Sequence, residues 1–287
     1  MSFPDVVRLD DLAVDVVDID DPADPRVDDF RDLSSVDRRP DVVALPGGVV
    51  GKGLVIAEGT LVTQRMAASR FTPHAFFGVD RRLRELATDL RDPSLRGVPF
   101  YRATAQVMAD TVGFHLNRGV LAAAHRPAEL SVAEVIADAR TVAVLEGVND
   151  HENIGSVFRN AAGLSVDAVI FGAGCADPLY RRCVRVSMGH ALLMPFARSD
   201  DWPGDLDLLR DRGFTTVALT PGTGSVPLAD AVSGDKVAFL LGAEGPGLTE
   251  ETMARCDVRG RIPMSRGTDS LNVATAAAVA FYERSRI

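Results

Sequence analysis

The chain has 287 residues, of which 25% are charged and 46% hydrophobic. This composition is typical of globular proteins and argues against wholesale disorder, and the length predicts about two domains. The formal net charge of −9 at first speaks against a nucleic-acid partner. However, residues 1–41 alone carry 13 acidic and 5 basic side chains, so the remainder is close to neutral. We therefore expect a solvated acidic N-terminal arm over 1–41, and charge does not exclude RNA as a partner of the rest.

Cysteine usage and hydropathy predict a soluble cytoplasmic protein. The three cysteines form no CxxC pair, which argues against a disulfide framework or a zinc ribbon. The first residues lack the basic and apolar parts of a signal peptide. The longest uncharged apolar stretch, around 273–281, is too short to span a bilayer, so no membrane partner is expected. The histidines show no HExxH spacing, and we expect no metal site.

The first half of the chain predicts a small α/β domain over 42–128. Apolar runs and amphipathic segments alternate there, which is typical of strands followed by helices. The predicted strands are 51–59, 73–79, 98–101 and 119–123, and the predicted helices are 60–69, 81–89 and 105–112. Ser131 and Glu134 form a capping box that predicts a helix over 132–139, within a linker of 129–140.

The second half, 141–287, predicts a parallel sheet covered by helices on both faces, because strands and helices alternate throughout. Strands are expected at 141–145, 168–171, 215–219 and 236–241, with an extended segment at 261–264. Helices are expected after Asn153 and at 178–190, 202–212, 248–256 and 271–284. Ligands of such sheets bind at the carboxyl ends of the strands, so the segments that follow strands are the places to look for a site.

Three segments that follow predicted strands have the residues for a binding site. In the first, 146–160, we expect Asn153 to cap a helix through the N–H of Ser156, and Gly155 to share a helix face with Arg159. The second, 241–248, has three glycines that permit positive φ and close backbone approach to a ligand. In the third, 262–273, Ser270 is a candidate N-cap where exposed N–H groups favour a polar ligand. Each segment alone is also compatible with an ordinary helix start, tight connection or cap.

Together, these segments resemble motifs 1, 2 and 3 of the SpoU (TrmH-type) RNA ribose 2′-O-methyltransferases of the SPOUT superfamily. The family pattern is Asn-x-Gly-x-x-x-Arg, then Gly-x-Glu-x-x-Gly-Leu, then Ile-Pro-Met with Ser-Leu-Asn-Val, and all three occur here in order. The resemblance covers 141–287. It extends more weakly to 42–128, which is similar to the small RNA-binding domain of ribosomal-protein type found in many members. His151 and Asn160 depart from the pattern, which usually has Pro and often Thr at those positions.

The resemblance implies an α/β domain with a C-terminal trefoil knot, S-adenosylmethionine bound in the knot, and a homodimer with its site near the subunit interface. It implies structured rRNA or tRNA as the substrate, with no DNA expected. The cofactor-binding residues that it implies, with Glu244 assisting them, are Leu241, Gly242, Gly247, Ile262, Met264 and Leu271. The catalytic residues that it implies are Asn153, Arg159, Glu244, Ser270 and Asn272.

The role of Arg159 is left open by its chemistry. The resemblance gives Arg159 the role of base, but a guanidinium has a pKa above about 12 and holds its proton. A guanidinium suits the role of holding the substrate phosphate or of stabilising a developing alkoxide.

Contacts with RNA are expected from arginines. The strongest candidates are Arg118 in the first domain and Arg181, Arg182 and Arg185 in the second.

The sequence argues against several other functions. A dinucleotide-binding fold needs G-x-G-x-x-G, and the segment from Gly172 has Asp177 at the third glycine position. A P-loop fails because the spacing from Gly47 to Lys52 is one residue short. A non-catalytic RNA-binding or ribosome-assembly protein that retains the cofactor fold is disfavoured by the intact catalytic set. A SPOUT enzyme acting on a base nitrogen is disfavoured by the Ser270-Leu271-Asn272 motif.

Overall fold

The computed structural model describes residues 9–33, 52–222, 224–265 and 270–287. The chain divides into two compact units, the first of residues 1–127 with 179–185 and the second of residues 128–178 with 186–287. The predicted α/β class with a parallel sheet is confirmed. The trefoil knot and the ribosomal-protein type of the first domain stay predictions, and residues 266–269, next to the third motif, lie outside the described residues.

The first unit is built on a five-stranded sheet flanked by helices. Its elements are β1 (Asp15–Ile19), β2 (Leu54–Glu58), α1 (Thr60–Ala67), β3 (Pro73–Gly78), α2 (Asp80–Glu85), β4 (Pro99–Ala103), α3 (Ala105–Val112) and β5 (Val120–His125). The strand order is β1-β4-β3-β5-β2, with β1 and β3 parallel to β4 and with β5 antiparallel to both neighbours. β2 and β5 are apolar and buried almost throughout, as expected for strands covered on both faces.

The acidic segment expected to be a separate arm belongs to this unit over its described part, 9–33. β1 pairs in parallel with β4 over five residues. Val27 and Phe30 are fully buried, in one hydrophobic cluster with Ile19 and Leu33. These apolar residues are spaced among aspartates, and two of them lie in a 3₁₀ helix, so no helical or strand period reveals them. Residues 1–8 and 34–41 of the expected arm lie outside the described residues.

The second unit is built on a seven-stranded sheet in which all recorded strand pairs are parallel. The strand order is β10-β12-β9-β11-β6-β7-β8, so β11 is the central strand. Its strands are β6 (Thr141–Glu146), β7 (Ala168–Phe171), β8 (Phe196–Arg198), β9 (Phe214–Leu219), β10 (Val226–Pro227), β11 (Lys236–Gly242) and β12 (Val258–Arg261). The remaining helices of the chain are α4 (Val132–Val135), α5 (His151–Gly163), α6 (Arg181–Val186), α7 (His190–Leu193), α8 (Asp205–Asp211), α9 (Leu228–Ala231), α10 (Glu250–Arg255) and α11 (Val273–Ser285).

Two predicted helices differ from the observed ones. The capping box of Ser131 and Glu134 is present, but α4 ends at Val135, and its buried side chains belong to the core of the second unit. The helix expected over 178–190 is divided into α6 and α7, because Met188 and Gly189 between them have positive φ angles of 55° and 84°. Residues 179–185, expected in the second domain, group with the first unit. In the described ranges no helix is long and apolar enough to cross a membrane.

We predict that Phe30→Ala lowers the free energy of unfolding of the first unit by about 3–5 kcal/mol, because it removes a fully buried ring and leaves a cavity. Urea denaturation followed by circular dichroism measures this, since the single tryptophan, Trp202, reports on the second unit. Leu9→Ala is the control in the same segment, because Leu9 is 40% exposed. A loss below about 1 kcal/mol for Phe30→Ala would show that the acidic segment is not part of the fold.

Candidate functional site

A cavity of about 700 Å³ lies at the carboxyl ends of the central strands of the second unit. Its walls come from the residues that follow β9, β11 and β12 and from the start of α11. All six residues expected to bind the cofactor line it, namely Leu241, Gly242, Gly247, Ile262, Met264 and Leu271. Glu244, Ser270 and Asn272 of the expected catalytic set line it as well. The cavity is of the size usual for small-molecule sites.

The glycine loop, residues 241–248, forms one wall of the cavity. It is able to fold back closely because Gly242 has no side chain. A Cβ atom at Gly242 would lie 2.2 Å from the backbone carbon of Gly247 and from the backbone nitrogen of Leu248. The loop closes through a hydrogen bond of 3.0 Å from the N–H of Gly247 to the carbonyl oxygen of Ala243. Gly245 and Gly247 have φ angles of 87° and 74°, which favour glycine. The three glycines of the motif therefore shape the loop.

Glu244 is bound by two asparagine amides from distant parts of the chain. The Nδ2 atoms of Asn153 and Asn272 donate to Oε1 of Glu244 at 2.8 and 2.9 Å. The Nδ2 of Asn272 also donates to Oδ1 of Asn153 at 2.8 Å. The first turn of α5, the glycine loop and the start of α11 thus meet at one carboxylate oxygen, and the structure brings these three predicted residues together.

The helix caps differ from the expected ones. Asp150, not Asn153, caps α5, and its Oδ1 accepts from the N–H groups of Glu152 and Asn153. Asn272, not Ser270, caps α11 through its Oδ1. The side-chain amide nitrogens of both asparagines donate to Glu244, and Asn272 does so while its oxygen caps α11.

Arg159 stands apart from the cavity. It lies on α5 with an exposed side chain, and it is not among the cavity-lining residues. No hydrogen bond or ion pair joins it to another described residue. Its guanidinium is therefore available for a group that arrives from solution.

One wall of the cavity was not singled out from the sequence. It consists of Leu219 and of Thr220, Pro221 and Gly222, which directly follow β9. A signal was present, because a polar turn of Thr, Pro and Gly at the carboxyl end of a predicted parallel strand marks a place for a ligand. The segment matches none of the three motifs.

Glu146 is a second carboxylate near the cavity, and it is buried. It ends β6 opposite Gly242 of β11. It accepts hydrogen bonds from Nε1 of Trp202 at 2.7 Å, from Oγ1 of Thr252 at 2.7 Å, and from both the N–H and the hydroxyl of Thr249. Burial raises the pKa of Glu146, but the donors Trp202, Thr252 and Thr249 together outweigh it and leave this pKa below its ordinary value. Because Thr249 follows Leu248, Glu146 anchors the end of the glycine loop.

The four arginines expected to contact RNA all lie in the first unit. Arg118 and Arg182 are exposed, and Arg185 is half-buried. Arg181 differs from them, because it forms an ion pair with Glu58 in which both side chains are largely buried. It also lies 4.8 Å from the ring centroid of Phe114. In the described ranges no cluster of His, Cys, Asp and Glu is arranged to hold a metal ion.

We predict that Gly242→Ala destabilises the second unit by about 1–3 kcal/mol, because the new methyl group overlaps the backbone of Gly247 and Leu248, which must shift to admit it. Urea denaturation followed by Trp202 fluorescence measures this change. Gly163→Ala is the matched control, since a Cβ at Gly163 has no atom within 4 Å. Equal free energies of unfolding for the two variants would contradict the role of Gly242.

We predict that Glu146→Gln destabilises the protein most near neutral pH. A carboxylate with a lowered pKa contributes stability above the unfolded-state pKa of about 4.3, and this contribution is lost as the pH falls through the folded-state pKa. The gap in unfolding free energy between wild type and Glu146→Gln should therefore shrink below about pH 4. Urea denaturation followed by Trp202 fluorescence measures it at each pH. The exposed Glu129→Gln is the control, and a gap that does not depend on pH would refute the prediction.

Comparison with known proteins places the chain in a family. Residues 140–282 match the model of the SpoU rRNA Methylase family. A Mycobacterium tuberculosis protein described as an uncharacterized tRNA/rRNA methyltransferase is 67% identical over 276 residues, which cover 95% of this chain and 93% of that protein. The 23S rRNA (guanosine-2′-O-)-methyltransferase RlmB of Vibrio parahaemolyticus is 28% identical over 72% of this chain and 84% of its own length.

The fold is shared with solved structures. The structure of an AdoMet-bound rRNA methyltransferase from Sinorhizobium meliloti superposes with a TM-score of 0.78 at 22% identity, over 94% of this chain and 98% of that one. At that identity the likeness concerns the fold alone, whereas the motifs and the mycobacterial relative extend it to the family. The chain belongs to the SpoU family of RNA methyltransferases, in the SPOUT superfamily.

Proposed function

We propose that the protein uses S-adenosylmethionine to methylate a ribose 2′-hydroxyl in structured RNA, either rRNA or tRNA. The observation that carries this proposal is the meeting of Asn153, Glu244 and Asn272 at the rim of a cavity walled by the glycine loop. In this arrangement, a cavity that would accept a small cofactor lies beside a set of polar groups that are accessible from solution.

The cavity suits a nucleoside cofactor in both size and chemistry. Leu241, Ile262 and Leu271 provide apolar wall, and the glycine loop leaves backbone groups uncovered beside them. Such backbone groups suit the flat edge of an adenine, and apolar side chains suit its faces. When bound, S-adenosylmethionine supplies a methyl group activated by a sulfonium.

Transfer to the ribose rather than to a base is supported by a relative and by the third motif. The RlmB protein that the chain resembles is named a guanosine-2′-O-methyltransferase. Ser270 and Asn272 stand at the cavity with polar side chains, as the ribose branch of the superfamily has them. A hydroxyl nucleophile needs in-line positioning and removal of its proton, and positioning alone supplies at most about 7–11 kcal/mol of the barrier.

Arg159 is proposed to hold the RNA phosphate or to stabilise charge that develops on the ribose oxygen. A guanidinium presents its donors in a planar fork that matches phosphate geometry. Its exposed position on α5, with no partner among the described residues, suits a ligand that arrives with the substrate.

RNA is proposed to contact the first unit through Arg118 and Arg182, which are exposed. Arg181 is left out of this surface, because removing its guanidinium from Glu58 would leave a buried carboxylate without its partner. Phosphate contacts of this kind weaken steeply with salt.

A homodimer in the cytoplasm is the form we propose. Val279 and Tyr282 lie three residues apart on α11, so they share a face, and they are 37% and 57% exposed. An exposed apolar face on a long helix suits contact with a second copy. The three cysteines are thiols that form no disulfide, which suits a reducing compartment.

The proposed function is tested by incubating the purified protein with radiolabelled S-adenosylmethionine and with unmodified rRNA and tRNA. We expect label in RNA at one site that resists alkaline cleavage, because a 2′-O-methyl group blocks attack on the adjacent phosphate. Arg159→Ala and Arg159→Lys should each lose about 10²-fold or more in rate at saturating cofactor, with exposed Arg140→Ala as the control. Label confined to a base would overturn the ribose assignment, and near wild-type rates would overturn the role of Arg159.

A further inference from the structure

We propose that Glu244 accepts the proton of the ribose hydroxyl, an inference that rests on the proposed function. It gives the reaction a carboxylate as the proton acceptor, and it separates this task from that of Arg159.

The two carboxylate oxygens of Glu244 have different surroundings. Oε1 accepts hydrogen bonds from the amides of both Asn153 and Asn272. Oε2 receives no hydrogen bond or ion pair from any described residue, and the side chain is exposed at the cavity. A carboxylate oxygen has two lone-pair positions, so Oε2 is open to a hydroxyl group from a substrate.

The network also fixes the orientation of this carboxylate. Oδ1 of Asn272 accepts from the N–H of Ala274 at 2.9 Å and of Thr275 at 3.3 Å, so its amide nitrogen must face Glu244. Two amide donors on Oε1 hold the carboxylate in place. Such preorganisation removes the cost of ordering the group when substrate binds.

No other described residue of the cavity wall has an ionisable side chain. The remaining polar side chains there are the hydroxyls of Thr220 and Ser270 and the amide of Asn272, which are weak bases. Arg159 does not line the cavity, and a guanidinium holds its proton at any physiological pH. Position and chemistry therefore both favour Glu244.

The proposed step balances without a further reactant. The ribose oxygen forms a bond with the methyl group, the sulfur keeps the electron pair of the bond that breaks, and the hydroxyl proton passes to Oε2 of Glu244. The transfer occurs as the new C–O bond forms, because bonding makes the hydroxyl far more acidic. The neutral acid then releases its proton to water, and this restores the carboxylate.

Glu244→Gln tests this role while it keeps the network. The glutamine carbonyl still accepts from Asn153 and Asn272, whereas an NH₂ group replaces Oε2. We expect kcat to fall about 10²- to 10⁴-fold, with the affinity for S-adenosylmethionine measured by calorimetry kept within about threefold. Added formate should restore part of the rate of Glu244→Ala but none of that of Arg159→Ala. Glu250→Gln, an exposed carboxylate outside the cavity wall, is the control and should keep the wild-type rate.

The outcomes separate this inference from the proposed function. If the wild-type protein places no methyl group on ribose, the proposed function fails. If wild type is active and Glu244→Gln keeps its rate within about fivefold, Glu244 is not the base. If Glu244→Gln loses cofactor affinity in proportion to rate, or if formate rescues nothing, Glu244 acts in binding or positioning and the inference is wrong.

Discussion

The close approach of two stretches of backbone at Gly242 determines the geometry of the candidate site. Gly242 ends the central strand of the seven-stranded sheet, and the loop folds back so tightly that no side chain fits there. This fold-back carries Glu244 to the rim of the cavity, where amides from α5 and α11 meet it. A bulkier residue at position 242 would therefore disturb the cavity wall and the polar network together.

Two carboxylates, Glu146 beside this loop and Glu244 within it, differ in burial and in how many hydrogen bonds they accept. Glu146 is buried and surrounded by donors from Trp202, Thr249 and Thr252, which lower the pKa of its carboxyl, and it stabilises the loop through these hydrogen bonds. Glu244 is exposed, and only one of its oxygens is occupied by described residues. A carboxylate whose two oxygens both accept hydrogen bonds within the protein stabilises the fold, whereas one with an oxygen open to substrate is able to exchange a proton. One glutamate, Glu146, thus stabilises the fold, and another, Glu244, is the one proposed to take part in the reaction.

Much of the cavity wall was predictable from the sequence, because many of its residues lie within two short motifs, 241–248 and 262–273, whereas the wall of residues 219–222 matches no motif. The residues of the polar network around Glu244 were predictable as a set. Their individual hydrogen bonds were not, because local geometry decides which residue caps a helix. Asp150 and Asn272 proved to be the caps, and a spacing rule cannot rank Asp150 above Asn153 or Asn272 above Ser270. The hydrogen-bond partners of Glu146 could not be predicted from the sequence, because Trp202 and Thr252 lie far along the chain and meet Glu146 only in the folded protein. The packing of the acidic segment against the first sheet could not be predicted, because its few buried residues follow no regular period.

The first unit is assembled from pieces that are far apart in the chain, residues up to 127 and the short segment 179–185. During synthesis the N-terminal pieces leave the ribosome first, and at that stage Glu58 lacks the guanidinium of Arg181 that neutralises it in the finished unit. A buried carboxylate without its partner is costly, so the nascent unit stays incomplete until about residue 185 has emerged. Completion of the first unit thus follows the synthesis of the first two strands of the second sheet, so the unit that begins the chain is not the first to be complete.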